Sequence, residues 1–193
     1  MYQALLRNSS FFDLLLRLDE DLAEEVRRCG CECGGALHRA CYDRKPRGGP
    51  PGLGPQHAVR FSYCCEKDGC RRRMTPASLR FLGRKVFFGV VVVLLPVLRD
   101  GPTPKRLERL SAEFAVSLRT LRRWSRWWRE AFTASCFWLA SQGQVARPVV
   151  VQELPSSLLE SFKGVGVAWP RVLAVLQFLS PITTGKDLFG PAF

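Results

Sequence analysis

The sequence predicts a mainly α-helical chain with one small β ribbon near its N-terminus and a helix-turn-helix bundle in its middle. Three observations carry that reading. Two groups of cysteines about thirty residues apart bracket short apolar segments. From Pro76 onward apolar side chains recur at helical spacing. The basic residues gather between 29 and 132, where 21 stand against 8 acidic ones, a net of +13. The first 28 residues carry a net of −2 and the last 61 a net of +1. With 47% hydrophobic residues the chain can bury a core.

The elements follow in order. Residues 1–28 form an N-terminal helical segment, with Phe12, Leu15, Leu16, Leu18, Leu22 and Val26 at roughly helical spacing and Asp19 as the expected N-cap of "EDLAEEVRR". Residues 29–75 form the ribbon, with strands at 36–42 and 59–65 around a flexible Pro/Gly-rich loop at 44–58. Residues 76–135 hold a first helix from Arg84 to Leu98 and a second from Thr103 or Pro104 to Glu113. The turn "FAVS" follows, and a third helix, "LRTLRRWSRWWREAF", starts from Ser117 as N-cap. Residues 136–193 form a C-terminal helical or partner-binding region with apolar stretches around Leu158 and from Val172 to Leu179. The most apolar run, "VFFGVVVVLLPVL", has 13 residues and reads as a buried helix, because a membrane span needs about 20.

The N-terminus lacks a basic leader ahead of an apolar stretch, so a cytoplasmic protein with reduced thiols is expected. Clustered reduced cysteines point to a metal, and thiolates converging from two turns suit one structural zinc ion. The candidates are Cys29, Cys31, Cys33, Cys64, Cys65 and Cys70. Cys33, followed by two glycines, is the firmest, paired with Cys31 or Cys29; Cys70 pairs with Cys65 or Cys64. His38 reads as a surface or packing residue and Cys41 as a small buried hydrophobe. The fold class is thus mainly α with a small β zinc ribbon.

The zinc turns would hold Arg44, Lys45 and Arg47 close to Arg71, Arg72 and Arg73. In the helix-turn-helix, Leu107, Leu110 and Phe114 face inward, Val116 fills the turn, and Leu118, Leu121 and Trp124 or Trp128 form the inner side of the third helix. Trp127 lies off that stripe and is expected at the surface. Arg119, Thr120, Arg122, Arg123 and Arg126 point outward, where such a helix meets the major groove. Arginines outnumber lysines by 23 to 6, as suits phosphate and guanine contacts. Double-stranded DNA is the expected partner, with no membrane and no small-molecule substrate.

The order "CGGALHR…Y…RKPRG", "GCRRRMTPASLRFLGRKV" and "VSLRTLRRWSRWW" resembles the DNA-binding N-terminal portion of bacterial insertion-sequence transposases and related mobile-element proteins, over roughly residues 29–132. The resemblance implies an accessory or regulatory protein at element ends or operators, associated with the nucleoid. It implies a transposase or integrase as a second partner. Such transposases also carry a ribonuclease-H-like domain with three carboxylates. Here the third helix is followed only by Glu130, Glu153, Glu160 and Asp187. Nor is there a His-hydrophobe-His pattern, since only His38 and His57 exist. A non-catalytic protein is expected. The competing class is an interaction module docking on a transposase, integrase or polymerase subunit.

Overall fold

The computed structural model describes residues 2–82, 86–99, 108, 112–162 and 168–184. Helices α1 (Tyr2–Leu5) and α2 (Ser9–Cys29) lead into strands β1 (Leu37–Arg39), β2 (Tyr42–Asp43), β3 (Val59–Arg60), β4 (Tyr63–Cys65) and β5 (Arg73–Met74). Helices α3 (Gly89–Arg99), α4 (Leu118–Arg129), α5 (Cys136–Ser141), α6 (Ser156–Ser161) and α7 (Ala168–Leu179) follow. The architecture is mainly α with a small β part. The strands form two antiparallel sheets, β1-β4-β5 and β2-β3. No helix among the described residues is long and apolar enough to cross a membrane.

Helix α2 is the spine. Its 21 residues are capped by Asn8, whose side chain accepts from the Phe11 amide at 3.2 Å, and end where Gly30 turns the chain at φ 72°. Phe11, Phe12 and Leu15 enter a large helical core, while Leu16 and Ala23 enter a smaller ribbon core with Leu37, Phe61, Tyr63 and Cys65. The expected cap at Asp19 is corrected: it lies in mid-helix and is fully buried. A buried acid is tolerable there because Arg80, also fully buried, donates from Nε to Asp19 at 2.8 Å, and the Leu79 amide and Ser78 hydroxyl donate at 2.6 and 2.5 Å. The other guanidinium nitrogens of Arg80 bond the carbonyls of Gln56, His57 and Val59, and its plane lies over Phe61 and Phe81. Buried Arg60 donates to the carbonyls of Pro76 and Thr183. Burial pushes its guanidinium down to about 10, so it stays charged at neutral pH. Together these residues bolt the ribbon to the helices.

Helix α3 begins at Gly89, later than the expected Arg84, and Val90 through Leu95 are all buried, as an apolar run without a polar face requires. Pro96 sits inside it and cannot donate to the carbonyl four residues back. That carbonyl, of Val92, instead accepts from the Trp128 indole at 3.2 Å. The proline-rich loop is not free. Its Arg47 bridges Phe87, and Gly48 and Gly49 lie so close to Val91 and Phe88 that a Cβ would approach within 2.9 and 2.7 Å. The missing side chains let backbone pack directly on α3.

Helix α4 has its expected cap, with the Ser117 side chain accepting from the Thr120 amide at 3.2 Å. Leu121, Trp124 and Trp128 are buried, but two expectations fail. Leu118 is 37% exposed, because α4 meets the core only from Leu121 onward. Trp127 is buried at 6%, covered by Trp128 and Phe132 at ring distances of 4.8 and 5.7 Å. A wide turn, with the Phe132 amide donating to the Trp127 carbonyl, folds the chain back over it. Leu107 and Leu110 of the expected preceding helix lie outside the described residues; Glu108, Ala112 and Glu113 are helical.

Candidate metal centre

Two turns approach each other because β1 pairs with β4, placing Leu37 opposite Cys65. The first follows α2. The Gly34 amide donates to the Cys31 carbonyl at 2.8 Å, the Cys31 amide donates to the Gly35 carbonyl at 3.1 Å, and Gly34 takes φ 80°. The second turn leaves β4 at Cys65, whose amide donates to the Arg72 carbonyl at 3.0 Å. The Cys70 amide donates to the Lys67 carbonyl at 3.1 Å. Gly69 at φ 82° and Arg71 at φ 44° reverse the chain between them.

The result is a cluster of Cys31, Cys33, Cys65 and Cys70, with all four Sγ atoms within 4.8 Å of one another. Cys31 and Cys70 are 3.8 Å apart and Cys33 and Cys65 3.4 Å, far beyond the ~2.05 Å of a disulfide. A tetrahedron of thiolates with metal–sulfur bonds of about 2.3 Å has edges of about 3.8 Å, so the donor set fits a metal ion. The site also needs Gly35. A Cβ there would lie 2.6 Å from Cys65 Sγ and 3.5 Å from Cys33 Sγ. The glycine cradles the sulfurs.

Metal-free, the cluster shares its protons unequally. The Gly35 amide, followed by bonds from the other three thiols, lowers Cys33 to about 6. At Cys65 the Lys67 amide also lowers the value, but burial and the bonds to Cys33, Cys31 and Cys70 together outweigh it and push the thiol up to about 12. At neutral pH Cys33 is therefore ionised while Cys65 keeps its proton. A soft divalent cation would displace the remaining protons.

Cys29 and Cys64 are not brought to the cluster. Cys29 is the last residue of α2 and is exposed. Cys64 points to the opposite face of β4 from Cys65, as strand alternation dictates, with its Sγ 3.4 Å from the Arg71 carbonyl. His38 is exposed and paired with Glu66 at 2.9 Å, an interaction that lowers the Glu66 carboxyl below its ordinary value. Cys41 is half-buried against the ribbon core.

No protein-family model, curated protein or solved structure matches the chain.

The basic residues named from sequence separate into distinct settings. Arg44 is half-buried with its guanidinium 5.3 Å from the Phe81 ring centre. Lys45, Arg47, Arg71, Arg72 and Arg73 are exposed. Arg72 pairs with Glu32 in the first metal turn, so the two turns are clasped by charge as well as by sulfur. Arg73 lies 5.8 Å from the Tyr42 ring centre. On α4, Arg119, Arg122, Arg123 and Arg126 are exposed, and Thr120 is half-buried with its hydroxyl 3.0 Å from that of Ser117. Sequence reasoning missed the Asp19–Arg80–Arg60 network. Its one available signal was an acid placed four residues after Leu15 and four before Ala23, on the apolar stripe of α2.

Proposed function

We propose that the chain is a non-catalytic accessory or regulatory protein of a mobile genetic element that binds double-stranded DNA, with one structural zinc ion at Cys31, Cys33, Cys65 and Cys70. The observation that carries the reading is the division of α4. Trp124, Trp127 and Trp128 are buried, while Arg119, Arg122, Arg123 and Arg126 are exposed on a helix capped at Ser117. A recognition helix presents its readers in this way, near its N-terminus. The sequence resemblance to transposase DNA-binding segments adds the mobile-element setting and the bacterial nucleoid as the place of action. Zinc is the ion favoured by four thiolates, and four thiolates leave no open position for catalysis.

Duplex binding measured over a salt series tests this. Affinity should fall steeply, by a log–log slope of roughly 0.9 per phosphate neutralised. Arg119→Ala or Arg123→Ala should cost about 1–3 kcal/mol on a preferred site and flatten discrimination between sequences. Arg71→Ala or Arg73→Ala should weaken all duplexes alike and lower the slope by about one unit. A selection from random duplexes that enriches the same sequence with both helix arginines removed defeats the recognition-helix assignment.

A second reading, docking on a transposase, integrase or polymerase subunit, is favoured by the exposed apolar side chains Leu139, Val150 and Trp169. Salt-insensitive binding, or none, to duplexes would favour it.

A further inference from the structure

We infer that the groove between Tyr42 and Val86 receives an unpaired base of a single-stranded nucleic acid, which gives the ribbon a role distinct from that of α4. The inference rests on the nucleic-acid reading above and deepens it. The groove has a volume of about 380 Å³ and is lined by Tyr42, Asp43, Arg44, Lys45, Pro46 and Val86. That volume lies within the range of about 300–1,000 Å³ for small-ligand sites. Two walls are apolar and unusually exposed for their type, Tyr42 at 40% and Val86 at 55%. A cation, Arg73, already lies against the Tyr42 ring.

The walls are fixed before any ligand arrives. Tyr42 is held opposite Arg60, whose buried side chain bonds the carbonyls of Pro76 and Thr183. The Arg44 amide donates to the Ala58 carbonyl at 2.9 Å. The Arg47 amide donates to the Val86 carbonyl at 2.8 Å, and the Phe88 amide donates back to the Arg47 carbonyl at 3.2 Å, which ties Val86 to the segment that follows Pro46. A site that needs no reordering loses less on binding.

The chemistry selects a base rather than a phosphate. Asp43 lines the groove beside Arg44 and Lys45, and its carboxylate can accept from the amino or imino N–H of a base edge, a donor that a phosphate does not offer. An aromatic ring and an aliphatic wall gain from a flat π-face. Lys45, on the groove's lining, and exposed Arg47, two residues on, suit the phosphates on either side of that base. In a duplex the bases are stacked and paired and cannot enter. An unpaired tail can.

The test compares a labelled blunt duplex with the same duplex carrying a short single-stranded tail, using the full zinc-loaded chain. The tail should raise wild-type affinity by about tenfold, the size expected of one stacked base. Tyr42→Ala should abolish that gain and leave the blunt-duplex affinity unchanged; Tyr42→Phe should keep it, and Asp43→Asn should change which tail base is preferred. Thermal melting of each variant establishes that it is folded, and Val86→Ala provides a second arm acting on the opposite wall. If the tail adds nothing to wild-type binding, or Tyr42→Ala weakens blunt and tailed duplexes equally, the inference is overturned while duplex binding stands. If neither probe binds, both readings fall.

Discussion

Pro96 and Trp128 offer a test of how the helical core is held. The proline removes the amide that would satisfy the Val92 carbonyl, and the Trp128 indole supplies the replacement at 3.2 Å. Trp128→Phe keeps an aromatic ring against Phe132, which lies 4.9 Å from Trp128 between ring centres, but deletes that donor. The carbonyl would then be buried without a partner, a cost of about 1–3 kcal/mol on top of any loss of packing. Pro96→Ala acts in the opposite direction. It restores an amide able to close the helical bond and relieves the penalty of proline in a helix interior, about 3 kcal/mol relative to alanine. In that background Val92 already has a partner, so Trp128→Phe should cost less by roughly the penalty of the orphaned carbonyl. The two substitutions should therefore couple by about 1–3 kcal/mol in a double-mutant cycle. Urea unfolding of the four zinc-loaded proteins measures this. In thermal melting the same coupling should appear as a shift of about 2–4 °C per kcal/mol. Additive effects would refute the shared carbonyl.

Three further outcomes are expected. Gly35→Ala should displace the Cys65 sulfur and reduce bound zinc well below one per chain, as should Cys31→Ser, Cys33→Ser, Cys65→Ser or Cys70→Ser; Cys29→Ser and Cys64→Ser should retain it, all read by metal analysis under reducing conditions. Zinc affinity in a chelator competition should fall as pH falls, and its slope against pH should steepen by about one unit below pH 6, where Cys33 adds a proton for the metal to displace; an unchanged slope there would place the thiolate elsewhere. Asp19→Ala leaves Arg80 charged and buried without its carboxylate, and unfolding experiments should register about 3–5 kcal/mol of lost stability, whereas a loss below 1 kcal/mol would mean that the carbonyl bonds alone neutralise Arg80.

What could be read from the residues, and what could not, has a physical pattern. The cysteine groups announced a thiol cluster because soft ligands are rarely placed together otherwise. Choosing among them depended on geometry. Cys65 over Cys64 follows from parity, since Phe61, Tyr63 and Cys65 alternate onto the ribbon core. Cys31 over Cys29 depended on where α2 stops, and it runs through Cys29 itself. Ser117 was legible as a cap because capping is local. Asp19 was misplaced for the opposite reason: its partner Arg80 stands 61 residues away, and only tertiary contact makes a mid-helix acid acceptable. Trp127 was misplaced because a helical stripe reports on one packing partner. The segment after α4 supplies a second, bringing Phe132 over the face that periodicity assigned to solvent.

The same distinction governs the charge. A net of +12 slightly overstates what a polyanion would meet, because buried Arg60 rests on carbonyls alone, whereas Arg80, Arg72 and Arg7 pair with Asp19, Glu32 and Glu113, acids that the net already counts. Helix α4 differs. Its twelve residues include Arg119, Arg122, Arg123, Arg126 and Arg129 and no acid. Like charges three and four residues apart oppose an isolated helix by about 0.2–0.5 kcal/mol per pair. The helix persists because Leu121 and its three tryptophans are buried on the other side, and each large apolar side chain contributes about 1.5–3 kcal/mol. Core burial thus sustains a charge density that local energetics disfavour, and no ion pair among the described residues offsets it. That unmet repulsion, more than the total charge, is the physical reason to look for the partner of this protein along α4.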